Sequence, residues 1–419
     1  MPATASHSNP SRPGATAWMV VGLLWPVALL NYLDRQLIST MKKSIMADLT
    51  DIHTEARFGL LMAVFMWVYA VLSPVGGYMA DRFDRRRVVV GSLAVWSFVT
   101  WLTGQAHSFD QLLWARAFMG VSEAFYMPAA LALIADFHAG TTRSRAIGWH
   151  QTGIYAGQAL GGIGGTIADS AQGWRAAFVW FGLAGILYSV VLAFGFVGRK
   201  PPAIAATAPG TPRIGIPAAL AGLFGIGSFI LLILHFTLPA MSGWMIRNWM
   251  PTYLGEIFHL KQGAAGFSAT LWITLACVPG ALVGGHLADR WMRSTQRGRI
   301  LVSAAGVSLF IPALFALGYA PTLGIAIAAL VLFGIGWGFY DTNNMPILCQ
   351  IVPPELRATG YGILNMVSIS FGAALTWGLG ALRDQHVPIL APCIGTAIAA
   401  AVSIALVLAI RPRSPNPQS

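Results

Sequence analysis

Acidic side chains are scarce in this sequence: 15 Asp and Glu among 419 residues, against 26 Lys and Arg. Charged residues of both signs make up 10% of the chain and hydrophobic residues 56%, whereas soluble domains carry roughly 25% charged residues. A soluble fold of this length could not bury so much apolar surface with so few charges left for its exterior, so the chain reads as an integral membrane protein. Cysteine is nearly missing as well, with 3 residues. Cys277, Cys349 and Cys393 lie in or beside apolar segments without metal-ligand spacing, which excludes a disulfide framework and a zinc site. The short alternating segments of an outer-membrane barrel are also lacking. The apolar runs are long and continuous, so the spans are helices. No small-residue cleavage site follows a short apolar core near the N-terminus, so residues 1–16, rich in Ser, Pro and Thr, read as a disordered tail.

What is present is a series of apolar runs. Twelve spans are expected, at roughly 17–42, 57–80, 88–106, 110–136, 144–168, 174–197, 218–249, 264–287, 300–320, 322–349, 358–382 and 387–410. The Pro-, Ala- and Gly-rich stretch between the sixth and seventh reads as a linker, 198–217. It divides the chain into an N-terminal six-helix bundle (17–197) and a C-terminal one (218–411), with a short tail at 412–419. The net charge of +11 does not point to nucleic acid, because the arginines cluster between apolar runs. Of the 26 Lys and Arg, 17 fall on the side of the termini and 7 on the other, which predicts both termini in the cytoplasm of a multi-pass inner (plasma) membrane protein.

The two halves echo each other. GGYMADRFDRRR (76–87) matches GGHLADRWMRSTQRGR (284–299), SRAIG (144–148) matches LRATG (356–360), and GVSEAFY (120–126) matches GIGWGFY (334–340). Three landmarks in the same order at nearly the same offset imply a duplicated bundle, and parallel halves around a central site are a transporter architecture. The expected fold is therefore all-α, with twelve transmembrane helices in two pseudo-symmetric six-helix bundles.

The G-x-x-x-D-R-x-x-R-R loop after the second span, echoed after the eighth, resembles the signature of the major facilitator superfamily, from about Ala17 to Ile410. NYLDRQ, RAFMGVSEAFYMPAA and NWMPTYL resemble the anion:cation symporters, which include sugar-acid and sialin-like carriers. Spinster-like lipid transporters share the first two patterns. The resemblance implies a major facilitator fold, a monomer, and cytoplasmic loops whose Asp81, Arg82, Arg86, Asp289 and Arg290 pair across the halves to hold the outward-open state.

Candidate site residues follow from charge inside the apolar runs. Asp34 and Arg35 lie in the first span, and Arg116 and Glu123 two turns apart on one face of the fourth. Asn31 extends the polar stripe of the first span. Intramembrane ionisable groups usually mark a substrate or proton path; a structural ion pair between the two helices is the alternative. Burial raises a carboxyl's pKa and a nearby guanidinium lowers it, so changing hydration during alternating access could load and release a proton. The symporter resemblance makes Asp34 and Glu123 the coupling carboxylates, Arg35 the substrate-anion ligand, and Arg116 a partner of substrate or of Glu123. The coupling ion is H+ and no other cofactor is expected.

Further polar residues are candidates for the cavity wall. Gln151 and Tyr155, with His150, open the fifth span; Tyr340, Asp341, Asn343 and Asn344 interrupt the tenth, and Asn365 the eleventh. Unsatisfied polar groups in hydrocarbon are costly, so these must face protein or water, and they would suit a polyhydroxylated solute. Asp341 stands where the repeat has Met127, as a second proton site or a binder of a cation or amine. Gly153, Gly157, Gly161 and Gly165 form a ridge for close helix approach. Trp244, Trp249 and Tyr253 read as interfacial anchors, or as part of a gate. No HExxH occurs, and Ser122 lacks the second Gly of a nucleophile elbow, so no enzyme is expected. An ion channel fits poorly with the duplicated halves and charged pair. The reading is a secondary transporter coupling protons to a small organic anion, with a Spinster-like carrier of amphipathic lipids as the alternative.

Overall fold

The computed structural model describes residues 15–138, 142–198 and 215–412, and every described secondary-structure element is helical. Helices α1 (Ala15–Thr40), α2 (Lys42–Asp48), α3 (Glu55–Arg82), α4 (Arg85–Thr103), α5 (Phe109–Glu123), α6 (Tyr126–Phe137), α7 (Arg143–Ala159), α8 (Gly162–Ala168) and α9 (Gly173–Gly195) come from the first half. The second half contributes α10 (Ile216–Phe224), α11 (Gly227–Ile257), α12 (Gln262–Met292), α13 (Gly298–Gly318), α14 (Leu323–Ile351), α15 (Arg357–Asp384) and α16 (Leu390–Ala409). Among the described residues, 10 helical stretches are long and apolar enough to cross a membrane. The expected third and fifth spans fall outside that set. The third opens on Arg85, Arg86 and Arg87, and the fifth carries Arg143, Arg145, His150, Gln151 and Gln158.

Local chemistry sets the helix ends. Thr54, Asp84, Ser108 and Thr322 cap α3, α4, α5 and α14, each side chain accepting from a first-turn N–H, which satisfies a donor the helix cannot. Three expected boundaries are corrected. The fourth span is two helices meeting at Ala124–Phe125, and the fifth is two meeting at Leu160–Gly161. The seventh begins at Gly227, after the separate helix α10 and a break at Gly225–Ile226, and runs on to Ile257. The expected tail 1–14 and linker residues 199–214 lie outside the described residues, as do 413–419.

Helices pack mainly within their own half: α1 on α7, α3 on α5 and α4 on α9 in the first, and α12 and α13 on α14, α13 on α16 and α11 on α15 in the second. The halves meet where α3 lies along α15 and α8 against α12. The glycine ridge of α7 and α8 permits these approaches. A Cβ on Gly157 would fall 2.3 Å from the Leu29 carbonyl oxygen of α1, and one on Gly165 would fall 2.6 Å from the Gln262 backbone of α12. Both distances are far inside van der Waals contact, so only glycine fits.

Hydrogen bonds and ion pairs between the halves cluster at one face, where α1, α11 and α15 end and α3 and α12 begin. Lys42 Nζ donates to Glu55 at 2.5 Å and faces Glu256 at 3.7 Å, while Arg383 bonds Glu55 at 3.2 Å and Glu256 at 2.7 Å. Asp384 accepts from the Glu55 and Ala56 amides. Gln262 bonds Ser44 and Asp169. A large apolar cluster that includes Leu37, Met62, Trp249 and Phe310 lies behind this closed face.

Candidate functional site

Behind the closed face is a cavity of ≈ 250 Å³ whose wall draws on α1, α3, α5, α7, α11, α12, α14 and α15. Its most ordered feature is Arg35. The Nε donates to Glu123 Oε2 at 2.7 Å, and the guanidinium lies 4.7, 5.3 and 4.5 Å from the ring centroids of Tyr32, Phe65 and Tyr69. Charge-assisted hydrogen bonding and cation–π contact together fix its plane. Glu123 is the last residue of α5 and is fully buried, with its Oε1 unpaired. Phe65 separates Arg35 from Arg116, whose guanidinium is 4.6 Å from the same ring. Arg116 is 2% exposed and bonds the Leu61 carbonyl and Met119 sulfur, not Glu123.

Asp34 turns away from the cavity. It is 3% exposed and accepts from Thr100 Oγ1 of α4, while Oδ1 has no partner. Asn31 is fully buried behind it, with both amide atoms unpaired. Asn31, Asp34 and Glu123 therefore form a layer one step behind the cavity wall, with Arg35 between that layer and the space. Buried polar atoms are rarely left unpaired, and four of them converge here, on Asn31, Asp34 and Glu123.

The second half supplies a counterpart that the loop-charge count misplaces. Arg247, counted there as a loop residue, lies inside α11 and lines the cavity. Its guanidinium is 4.4 Å from the Trp337 ring centroid and 5.9 Å from that of Trp244, and Asp341 of α14 lies within its field. A signal was available. Ala28, Tyr32, Arg35 and Gln36 relate to Ala240, Trp244, Arg247 and Asn248 by the offset that relates SRAIG to LRATG. Each half thus lines the space with an arginine from its first long helix, Arg35 and Arg247, while the carboxylate of the fourth expected span lines it in the second half (Asp341) and lies one step behind the wall in the first (Glu123).

Of the other expected wall residues, Gln151, Tyr155, Tyr340, Asp341 and Asn365 line the cavity together with Arg35 and Arg116. Tyr340 also donates to the Phe236 carbonyl at 2.6 Å. Asn343 and Asn344 do not reach the wall. Both are 1% exposed, Asn343 bonding the Phe339 carbonyl within its own helix and Asn344 keeping both amide atoms unpaired. His150 is fully buried against the Tyr126 hydroxyl at 2.8 Å, away from the cavity. Trp249 and Tyr253 are not lipid anchors. They are buried between α11 and α15, with Trp249 Nε1 bonded to the Thr376 carbonyl, and Trp244 lines the cavity.

At the opposite face, Arg86 bonds Asp84 of its own loop at 2.6 Å, and Asp289 faces Arg299 of its own half at 3.9 Å. The Arg82 guanidinium covers the Tyr78 ring at 4.9 Å, and Arg290 closes the last turn of α12. These contacts stay within one half, and the expected pairing of these residues across the halves is not among them. The side chain of Asp81 lies outside the described residues. Among the described residues no cluster of His, Cys, Asp and Glu could hold a metal ion.

Comparison with known proteins agrees with this architecture. Residues 24–377 match the Major Facilitator Superfamily. Protein spinster homolog 1 of Homo sapiens is 30% identical over 400 residues, covering 89% of this chain and 74% of that protein. A probable sulfoacetate transporter of Cupriavidus necator is 27% identical over 387 residues, covering 85% and 87%. A bacterial homologue of the human lysosomal transporter Spinster, crystallised inward-facing and unoccupied, superposes with a TM-score of 0.78 at 20% identity, covering 96% of this chain and 99% of that one. The relatives are transporters, not enzymes, and this chain belongs to the major facilitator superfamily as a multi-pass membrane transporter with Spinster-like features.

Proposed function

We propose that the protein is a proton-coupled symporter of a small organic anion, for instance a sugar acid. The observation that carries this reading is the charge balance around the cavity: Arg35, Arg116 and Arg247 against Asp34, Glu123 and Asp341, with Arg35 held by Glu123 at 2.7 Å. With every group ionised the set is neutral, and a further buried anion would lack a counter-charge, which is costly. A proton on Glu123 frees the Arg35 fork for a carboxylate, whose planar geometry it matches. Proton and anion then enter as a neutral pair. Arg247 meets the same anion from the other half.

Loading alternates by rocking of two pseudo-symmetric six-helix bundles, twelve spans in all once α5–α6 and α7–α8 count as one each and the short helices α2 and α10 are set aside. Lys and Arg placement orients both termini toward the cytoplasm of the plasma membrane, and a monomer suffices. The cavity volume of ≈ 250 Å³ suits a solute smaller than most drug-sized ligands. The relative named for sulfoacetate is consistent with a small anion.

The second reading is Spinster-like carriage of an amphipathic lipid, favoured by the 30% identity to spinster homologues. A thermal-shift screen of purified protein against sugar acids, other carboxylates, neutral sugars and lysolipids separates the two, followed by pH-gradient uptake of each hit in liposomes. Stabilisation by lysolipids alone would replace the anion reading.

A further inference from the structure

The two seams between the halves end in the same way at the closed face. Where α8 meets α12 the chain reads GTIAD (165–169), and where α15 meets α3 it reads GALRD (380–384). In each stretch the glycine and the aspartate are one helical turn apart and share a face. We propose that Asp169 and Asp384 are a matched pair of catches, each holding this face shut by capping a helix of the other half, and that the two release together.

Glycine lets the main chains meet. A Cβ on Gly165 would fall 2.6 Å from the Gln262 carbonyl oxygen, and one on Gly380 would fall 2.4 Å from the Glu55 carbonyl oxygen. Gln262 and Glu55 are the first residues of α12 and α3. One turn beyond each glycine, the aspartate therefore reaches the start of the facing helix. Asp169 Oδ2 accepts from Gly263 N at 2.9 Å, and its Oδ1 accepts from Gln262 Nε2 at 3.1 Å. Asp384 Oδ1 accepts from Glu55 N at 2.7 Å, and its Oδ2 accepts from Ala56 N at 2.9 Å.

These are amides that the helices do not cap for themselves. First-turn N–H groups have no partner inside their own helix. Lys261, at the cap position of α12, makes no side-chain cap bond. Thr54 of α3 accepts from Arg57 N, which leaves Glu55 N and Ala56 N to Asp384. A carboxylate at a helix N-terminus is also favoured by the helix dipole. Each half thus supplies the cap that the other lacks, and the caps are complete only while the halves touch at this face.

Asp169 and Asp384 follow the fifth and eleventh expected spans, and the amides they hold begin the eighth and second, so the duplication relates the two catches. One rocking motion parts both seams, so both caps bias the same equilibrium between closed and open. Weakening one catch must then expose the other, although the two share no atom. Two merely local caps would not behave in this way, and the behaviour is independent of which solute is carried.

The test uses the full-length protein in nanodiscs, with hydrogen exchange read on peptides covering residues 55–58 and 263–266. Asp169→Asn keeps the side chain's volume and one acceptor oxygen. Asp169 bonds Gln262 and Gly263, not Lys42 or Arg383, so this variant probes the catch apart from the charged cluster. Exchange is expected to rise about fivefold at 55–58, in the other seam, the effect of losing one typical helix cap, and at least as much at 263–266. Asp384→Asn is expected to do the reverse, and the double variant to multiply the two effects. A membrane-impermeant maleimide added at this face of sealed vesicles is expected to label Cys277 in the cavity faster by the same factors. Ser170→Ala, whose native hydroxyl bonds Ile167 of its own half, is expected to change neither. Faster exchange confined to the substituted seam, unchanged exchange in both seams, or unchanged Cys277 labelling each overturns the proposal. If Asp384→Asn does not fold, Asp169→Asn alone decides it.

Discussion

At the scale of single residues, the cavity separates two tasks that adjacent charges usually blur. Glu123 grips Arg35 from behind, while Arg247 presents its guanidinium across aromatic faces. Glu123→Gln is expected to abolish uptake driven by a pH gradient yet leave solute counterflow intact, because a permanently neutral side chain can complete exchange without moving a proton. One proton moving down a gradient of one pH unit supplies ~1.4 kcal/mol, and this drive would vanish; full pH-driven uptake in the variant would exclude Glu123. Arg247→Ala is expected to raise the apparent KM roughly tenfold to hundredfold, the worth of a charge-assisted hydrogen bond, while Arg247→Lys recovers only part, since an ammonium cannot stack and fork as guanidinium does. Transport assays of both variants at saturating and limiting solute separate binding from turnover.

Away from the membrane spans, Asp48 gives a pH dependence. Burial is the largest single influence and pushes its pKa up, but the donors from Arg175 and Trp174 and the Arg175 charge together outweigh it and hold it below its unfolded value of 3.8. A depressed carboxylate stabilises the fold fully above that unfolded value and stops doing so as pH falls through the folded one. The native chain should therefore melt higher than Asp48→Asn at pH 7, with the gap closing below pH ~4; a constant gap across that range would refute the assignment. A charged cluster between the first and fourth spans was legible in the sequence because ionisable groups in an apolar run have few other places to go; that Glu123 pairs with Arg35 and not with Arg116 was not. Neither was Arg247. It lies near what reads as the end of a span at 249, because Trp249 and Pro251 resemble an interfacial border, whereas α11 continues to Ile257. The direction of Asp34, toward Thr100 rather than the cavity, depends on helix rotation that no spacing rule supplies.

At the scale of elements, glycine decides which helices touch. The ridge from Gly153 to Gly165 was readable as a packing surface, but not its change of partner. Its first members abut α1, where Gly153 meets Trp25 and Gly157 meets Leu29, and Gly165 abuts α12. The break at Leu160–Gly161 lies between the two. The break at Ala124–Phe125 carries neither glycine nor proline and left no local signal. Across the other seam, a Cβ on Gly380 of α15 would lie 2.4 Å from the Glu55 carbonyl oxygen of α3. Gly380→Val is thus expected to wedge the closed face apart. Cys277 lines the cavity as a free thiol, so a membrane-impermeant maleimide added at that face should label Cys277 faster in the variant than in the native chain, read by peptide mass. Equal labelling rates would show that the seam yields elsewhere.

At the scale of the molecule, the four-charge latch sets the resting state. Arg383 bonds both Glu55 and Glu256, and Lys42 faces both. Single exposed pairs contribute about 0.2–1 kcal/mol, but one arginine shared by two carboxylates links them. Arg383→Gln is expected to shift the balance between closed and open at this face by about 1–2 kcal/mol, roughly tenfold in population. Cross-linking across the seam should report this as a slower yield, and an unchanged yield would assign closure to apolar packing alone. Duplication was legible from three matched landmarks, and with it the placement of a site between halves. The state in which the halves rest was not, because it depends on contacts between residues as far apart as Lys42 and Glu256, whose pairing no local pattern encodes.

The glycine contacts at α8 and α12 have one more consequence. Main chain lies directly on main chain there, with Gly162 beside the Phe267 amide and Gly263 beside Thr166. Such a joint leaves no crevice between α8 and α12 wide enough for a hydrated ion. The α8–α12 seam is therefore expected to be tight to ions even in the empty carrier, so that liposomes holding the protein keep an imposed voltage.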